Sequence, residues 1–276
     1  MQFVEANGAT IPAIGLGTWE LRGNVCARIV ERALRMGYHH VDTAEAYDNE
    51  REVGEGLRAS GVTRADVFVT TKVWSDHLAP REFERATKES LTRLRLSELD
   101  LLLIHWPSAS IPLAETIGAL CRMKSAGLTR HIGVSNFTVA LIAEAVQLAT
   151  EPLVVDQIEW HPFIDQSKVR AVCRRYGLAV TAYSPIARGR IAGNDVLERI
   201  AAAHGKTAAQ VSLRFLIQEG AIVIPRTSRP ERLAENLAIF DFVLNEQEME
   251  DIRALANPDG RIVDWSGAPA WDEPEQ

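Results

Sequence analysis

Eight short runs of β-branched and aliphatic residues recur along the chain, separated by segments with apolar residues at helical spacing, and no other feature restricts the fold so tightly. The runs are "AIGLG" (13–17), "YHHVD" (38–42), "VFVTTK" (67–72), "DLLLIHW" (100–106), "HIGVS" (131–135), "VVDQIE" (154–159), "LAVTAY" (178–183) and "AIVIP" (221–225). Most are near-continuously apolar rather than alternating, as parallel strands covered on both faces should be. The segment "VCARIVERALRMG" keeps three- and four-residue apolar steps and stops at Gly37, a glycine helix stop. "KTAAQVSLRFLIQEG" opens with Thr207 and Gln210 at capping-box spacing and closes at Gly220. Eight such units in 276 residues predict an α/β protein with one (β/α)8 TIM-barrel domain spanning 1–276, in preference to a doubly wound sheet.

Charge and composition narrow the partners. The formal net charge is -7 and no Lys/Arg-rich block occurs, which argues against nucleic acid. The N-terminus lacks a basic start followed by an apolar segment, and no apolar run approaches the ~20 residues of a membrane span, so a cytoplasmic location and no membrane partner are expected. Cys26, Cys121 and Cys173 are odd in number, far apart and without CxxC spacing, so they are expected to be reduced and buried. Residues 257–276 lose all periodicity. Trp265 and Trp271 are unusual in a solvated tail, so the earlier part of this segment is expected to fold over one barrel rim, while "DEPEQ" frays.

Polar and ionisable residues collect at the carboxyl ends of the strands. Asp42 ends the second run, Lys72 the third and His105 falls near the end of the fourth; Ser135 and Asn136 follow the fifth, Gln157 lies in the sixth, Tyr183 ends the seventh and Arg226 follows the eighth. In a barrel of this kind that rim builds the active site. Period-two alternation puts Lys72 in a row with Thr70 and Phe68, and His105 in a row with Leu103 and Leu101, so the ionisable groups continue rows of core side chains. Any barrel has some polar strand ends, but Asp42, Lys72 and His105 on consecutive strands with Tyr47 just beyond make a constellation. A tyrosine with an ordinary pKa near 10 is a poor proton donor at neutral pH. An adjacent Lys72 ammonium is expected to lower that value, with Asp42 holding the lysine charged and in place and His105 orienting the reacting oxygen.

"GYHHVDTAEAYDNE", "TTKVW", "LLLIHWP", "GVSNF", "QIEWHPF", "AYSPIARG" and "IPRTSRPERLAENLAIFDFVL" occur in an order and spacing that resemble the aldo-keto reductases, and the likeness runs through nearly the whole chain. Within that family the chain is most similar to bacterial 2,5-diketo-D-gluconate reductases. The resemblance implies a barrel that binds NADPH and reduces aldehydes or ketones, with Asp42, Tyr47, Lys72 and His105 as the catalytic four and Tyr47 as general acid. It implies that Ser135, Asn136 and Gln157 hold the nicotinamide carboxamide, that Tyr183 stacks on the ring, that Ser184 is a further cofactor-binding residue, that Arg226, Thr227 and Arg232 grip the 2′-phosphate, and that Glu235 and Asn236 contact adenine. The family more often carries lysine where Arg226 stands; the charge is kept, and so is the implied preference for NADPH. A monomer is also implied.

The cofactor reading has support from the residues themselves. Gly15 and Gly17 in "GLGTWE" lack a third glycine in register, so a Rossmann fingerprint is absent. Arg226, Arg229 and Arg232 cluster just before a helix starting near Pro230 or Glu231, and a helix N-terminus flanked by guanidinium groups suits a phosphate; solvated loop arginines are the plainer alternative. Trp19, Trp74 and Trp106 each follow a strand end and are candidates for the walls of a substrate pocket, with core packing as the competing role. Short segments after the fourth and seventh strands suggest an open site for small polar carbonyls such as keto sugars and glyoxals.

Of four rival readings, the sequence argues against a nucleophilic hydrolase and a metal enzyme and leaves a Schiff-base aldolase and a sensing subunit as alternatives. "GVSNF" has Phe137 where a nucleophile elbow needs glycine. Lys72 could form a Schiff base as in an aldolase. His39 and His40 point to opposite strand faces, so no metal is expected. The last rival is an NADPH-sensing subunit without turnover.

Overall fold

Asn7 and Gly8 both adopt positive φ, 43° and 87°, and turn β1 (Phe3–Ala6) into β2 (Ala9–Pro12) as an antiparallel hairpin. The sequence signal for it was the Asn-Gly pair, the strongest short hairpin signal there is. In the computed structural model, which describes residues 2–272, eight further strands follow in parallel. They are β3 (Leu16–Gly17), β4 (His40–Asp42), β5 (Phe68–Val73), β6 (Leu99–Ile104), β7 (Thr129–Ser135), β8 (Leu153–Glu159), β9 (Ala179–Tyr183) and β10 (Ile222–Val223), each paired with its neighbours in chain order.

The cylinder closes between β10 and β3. Val223 N–H donates to Ala13 O at 2.9 Å, Gly15 N–H to Val223 O at 2.8 Å and Gly17 N–H to Pro225 O at 3.1 Å. Single bridges, Ile14 to Val223 and Gly17 to Arg226, make this seam in place of a continuous ladder, which is why the first and last strands are shorter than the apolar runs 13–17 and 221–225.

Ten helices connect or flank the strands among the described residues: α1 (Gly23–Met36), α2 (Glu50–Ser60), α3 (Pro80–Leu94), α4 (Leu113–Ser125), α5 (Val139–Leu148), α6 (Ser167–Tyr176), α7 (Asp195–His204), α8 (Ala208–Gln218), α9 (Pro230–Leu237) and α10 (Glu246–Arg253). Gly37 ends α1 at φ 106°, and Thr207 with Gln210 forms a full capping box on α8. None is long and apolar enough to cross a membrane.

Two apolar layers hold the barrel. The larger fills the space between strands and helices, with Ile14, Val41, Val69, Leu102, Ile132 and Val134 facing outward. The smaller lies on the barrel axis, where Leu101, Leu103, Val155 and Ile222 meet Ala6, Ala9 and Ile11 of the hairpin, so the hairpin plugs the amino-terminal mouth. Burying the leucine, isoleucine and valine side chains contributes ~1.5–3 kcal/mol each, and the carboxyl-terminal mouth is left as the open one. All three cysteines are free and buried.

Candidate active site

Asp42, the last residue of β4, and Lys72 on the adjacent β5 project into the barrel, both almost fully buried. Lys72 Nζ donates to Asp42 Oδ1 at 2.5 Å, to Thr43 O at 2.8 Å and to the Tyr47 hydroxyl at 3.4 Å. Tyr47 closes a short 3-10 turn (Glu45–Tyr47) that leaves β4, and Asp48 ends that turn at φ 51°. Three anchors fix the turn. Asn49 donates to Thr18 O and Leu21 O and accepts from Thr43 Oγ1; Arg22 donates to Tyr47 O; and Glu45 accepts from Trp74 N–H at 3.0 Å and pairs with His77 Nδ1 at 2.7 Å.

The electrostatics differ from the sequence expectation. Burial, with the Asp42 carboxylate adding to it, raises the Tyr47 pKa well above 10, in place of the lowering foreseen from Lys72. The cause is desolvation of the phenol, which the Lys72 ammonium, 3.4 Å away and already paired with Asp42 at 2.5 Å, does not outweigh. Burial likewise lowers the Lys72 pKa against the opposing pull of Asp42. In this resting site the phenol holds its proton.

His105 follows β6 and meets Tyr47 edge to face at 5.6 Å between ring centroids. Burial, and then the Lys72 charge, press its pKa well below 6.5, so the imidazole is neutral at physiological pH; its Nδ1 is buried with no partner among the described residues. Asn136, in the left-handed region at φ 63°, donates to His105 O at 2.9 Å and to Ser135 Oγ at 3.0 Å, and accepts from the Tyr183 hydroxyl at 2.7 Å. Gln157 Nε2 donates to Asp42 Oδ2 at 2.7 Å. Ser184 also takes positive φ, 50°, directly after Tyr183.

A cleft of about 810 Å³ opens over these groups. Tyr47, His105, Asn136, Gln157, Tyr183 and Ser184 line it, and so do Arg226 and all three of Trp19, Trp74 and Trp106. Trp106 is nearly buried, so it serves packing as well as the wall. The second cluster lies around the start of α9. Arg226 Nε donates to Trp19 O; Thr227 Oγ1 accepts from Arg229 N–H; Arg232 Nη1 donates to both oxygens of Glu235, which also accepts from Thr207; and Asn236 is buried beside Tyr38. Of the residues named here, Arg226 belongs to the cleft lining, whereas Thr227, Arg232, Glu235 and Asn236 sit beyond it.

The C-terminal segment crosses the same mouth. Trp265 stacks on Trp74 at 5.5 Å and meets Trp106 edge to face at 5.7 Å. Asp272 Oδ2 accepts from Val139 N–H at 2.9 Å, so the fraying expected for "DEPEQ" does not extend to its first residue; residues 273–276 lie outside the described residues. Sequence reading missed Glu45, Asn49 and Glu159. Glu159 was recoverable, since it stands two residues after Gln157 on the same strand face. Nothing marked Asn49.

A dinucleotide fits this donor set: buried amides at the cleft floor, a half-buried tyrosine ring beside them, and a guanidinium just past the strand that closes the cylinder. No cluster of three or more potential metal ligands occurs among the described residues.

Comparison with known proteins agrees with the geometry. The sequence model of the Aldo/keto reductase family matches residues 13–257. The methylglyoxal reductase of Salmonella typhimurium is 41% identical over 267 residues, covering 95% of this chain and all of that one. A crystal structure provisionally described as a 2,5-diketo-D-gluconic acid reductase B superposes with a TM-score of 0.97 at 48% identity, covering 99% of this chain and 98% of the other. The Bombyx mori aldo-keto reductase, solved in complex with NADP, superposes at 0.90 with 35% identity and covers 96% and 95% of the two chains. With matches that span the barrel from end to end, the chain belongs to the aldo/keto reductase family and is an oxidoreductase acting on carbonyl groups.

Proposed function

We propose that the protein reduces small aldehydes and ketones, keto sugars and methylglyoxal-like dicarbonyls among them, with NADPH as reductant and Tyr47 as proton donor. When bound, the cofactor supplies the hydride. Ser135, Asn136 and Gln157 would hold its carboxamide, Tyr183 and Ser184 would flank the ring, and Arg226, Thr227 and Arg232 would take the 2′-phosphate, with Glu235 and Asn236 near the adenine.

The observation that carries this reading is the contact of the Tyr47 hydroxyl with Lys72 Nζ, itself clamped by Asp42, beside a neutral His105 at the cleft floor. A carbonyl oxygen placed between Tyr47 and His105 would be oriented by the imidazole. As negative charge develops on that oxygen, the phenol proton moves to it, and the phenolate left behind is stabilised by the ammonium. A phenol kept protonated at rest suits a donor that acts only when such a base appears. Trp19, Trp74 and Trp106 give the cleft apolar walls on which a small carbonyl substrate could pack.

The Schiff-base route is disfavoured, because Lys72 is buried and its ammonium is engaged by Asp42, Thr43 O and Tyr47. A sensing subunit would share the cofactor contacts and lack turnover. The test is loss of NADPH absorbance with a panel of methylglyoxal, small aldehydes and ketoses. Tyr47→Phe should lower kcat by ~10²–10⁴-fold, the usual share of general acid catalysis, with NADPH affinity retained. Equal activity in wild type and Tyr47→Phe removes Tyr47 as the donor, and no turnover with any carbonyl favours the sensor.

A further inference from the structure

Glu159 ends β8 with its carboxylate fully buried, a position that demands compensation for lost hydration. Three donors supply it. Ile262 N–H reaches Oε1 at 2.7 Å, Val263 N–H reaches Oε2 at 2.8 Å, and His161 Nε2 reaches Oε1 at 2.9 Å. His161 Nδ1 accepts from Phe163 N–H, which places the ring proton on Nε2 and makes that nitrogen the donor. Two of the three donors therefore belong to a segment more than a hundred residues away in sequence.

That segment forms part of the wall of the cleft. Gly260 passes so close to Phe163 that a Cβ there would lie 1.7 Å from its carbonyl oxygen, and the chain then runs through Ile262 and Val263 to Trp265. Trp265 is 40% exposed, yet its ring touches both Trp74 and Trp106. Its own backbone N–H is spent locally on Asp264, so among the described residues the backbone hydrogen bonds that tie 262–265 to the barrel are the two N–H groups on Glu159, beside the packing of Ile262 and Trp265. Irregular backbone carrying exposed rings has little intrinsic preference for one path. A buried carboxylate facing two successive N–H groups supplies one.

We infer that Glu159 is a positioning residue for substrate selection: its carboxylate latches Ile262 and Val263 to the end of β8 and thereby holds Trp265 as a wall of the carbonyl site. The inference rests on the proposed carbonyl reduction for its kinetic arm only. Replacing Glu159 by Gln leaves one acceptor and turns an amide N–H₂ toward the other backbone donor. The latch then opens without creating a cavity.

The experiment compares wild type, Glu159→Gln, Trp265→Ala and the double variant as full-length folded proteins, with Glu159→Ala as a second disruption of the latch. Hydrogen exchange of the peptide containing 262–271 should quicken about tenfold or more in Glu159→Gln, the scale of losing hydrogen bonds to a charged group. With NADPH saturating and methylglyoxal varied, KM should rise several-fold in Glu159→Gln while kcat and the NADPH Kd change little. Trp265→Ala should raise KM similarly, and the double variant should be no worse than Trp265→Ala alone, because one residue acts through the other. Unchanged exchange in both Glu159 variants overturns the latch. Faster exchange with unchanged KM, or effects that multiply in the double variant, overturns its role in selection. A wild type that does not oxidise NADPH with methylglyoxal or other small carbonyls sinks the functional reading instead, and the exchange result still decides the latch.

Discussion

Gln157 Nε2 donates to Oδ2 of Asp42 at 2.7 Å while Lys72 holds Oδ1 at 2.5 Å, so one carboxylate joins the amide expected to carry the nicotinamide to the ammonium beside the phenol. On the proposed function, cofactor contact and proton delivery would therefore share one carboxylate. Gln157→Leu removes a donor from a buried charge, and hydrogen bonds to charged groups contribute ~1.5–3 kcal/mol. The expected outcome is a fall in kcat/KM of about 10–100-fold together with weaker NADPH binding. Steady-state kinetics with a fluorescence titration of NADPH decide it. A variant that loses affinity and keeps kcat would show that the shared carboxylate transmits nothing.

Arg232 supplies the second prediction. Its Nη1 is committed to Glu235, while its side chain remains 41% exposed, which leaves the rest of the guanidinium open to a phosphate. Solvent screening places its contribution at the low end for a charged hydrogen bond. Arg232→Ala should weaken NADPH about tenfold and leave NADH binding within a factor of about two, measured as the ratio of the two dissociation constants. Equal losses for both cofactors would locate the 2′-phosphate elsewhere.

Much of this architecture could be read from the chain because its signals are local. Uninterrupted apolar runs mark the eight parallel strands, and period-two alternation alone puts Lys72 and His105 in rows with core side chains. The hairpin Phe3–Pro12 is marked in sequence only by Asn7-Gly8, because its two four-residue strands are too short to carry a clear alternation of their own. The direction of the Tyr47 shift was not legible for another reason: it depends on how far the folded chain desolvates the phenol, which no spacing rule encodes. Glu159 and its hold on Ile262 and Val263 is a contact between residues over a hundred positions apart, made by irregular backbone, and neither periodicity nor composition carries that information.

His40 gives a prediction for acid stability. It lies in the barrel beneath Asp42, hydrogen-bonded through Nε2 to Thr70 Oγ1, and burial lowers its pKa to about 4. In the unfolded chain the value is near 6.5. Between those limits the unfolded state binds a proton that the native state excludes, so stability falls as the pH drops from 6.5 toward 4, by about 1.4 kcal/mol per unit for this one group. His105, whose pKa is also pressed down, acts with the same sign. Urea titrations at pH 7 and pH 5 should show the loss, and His40→Gln should make the slope shallower. An identical slope in that variant would mean that His40 takes its proton without unfolding.

Asp156 carries the opposite sign. It sits on β8 fully buried, Phe137 N–H approaches Oδ1 only to 3.5 Å, and Oδ2 has no partner among the described residues. Burial raises its pKa well above 3.8, and the Asp272 carboxylate adds to the shift. Below the unfolded value both states hold the proton and the group is neutral to stability. Above it the unfolded chain releases the proton while the native state retains it, so stability is lost as pH rises from about 4 toward the folded value. Asparagine has no proton to lose. Asp156→Asn should therefore raise the melting temperature at pH 7, by roughly 2–4 °C for each kcal/mol recovered, and the advantage should vanish near pH 4. A lower melting temperature at pH 7 would mean that the ionised carboxylate is satisfied there, because only a charge with donors around it would be missed.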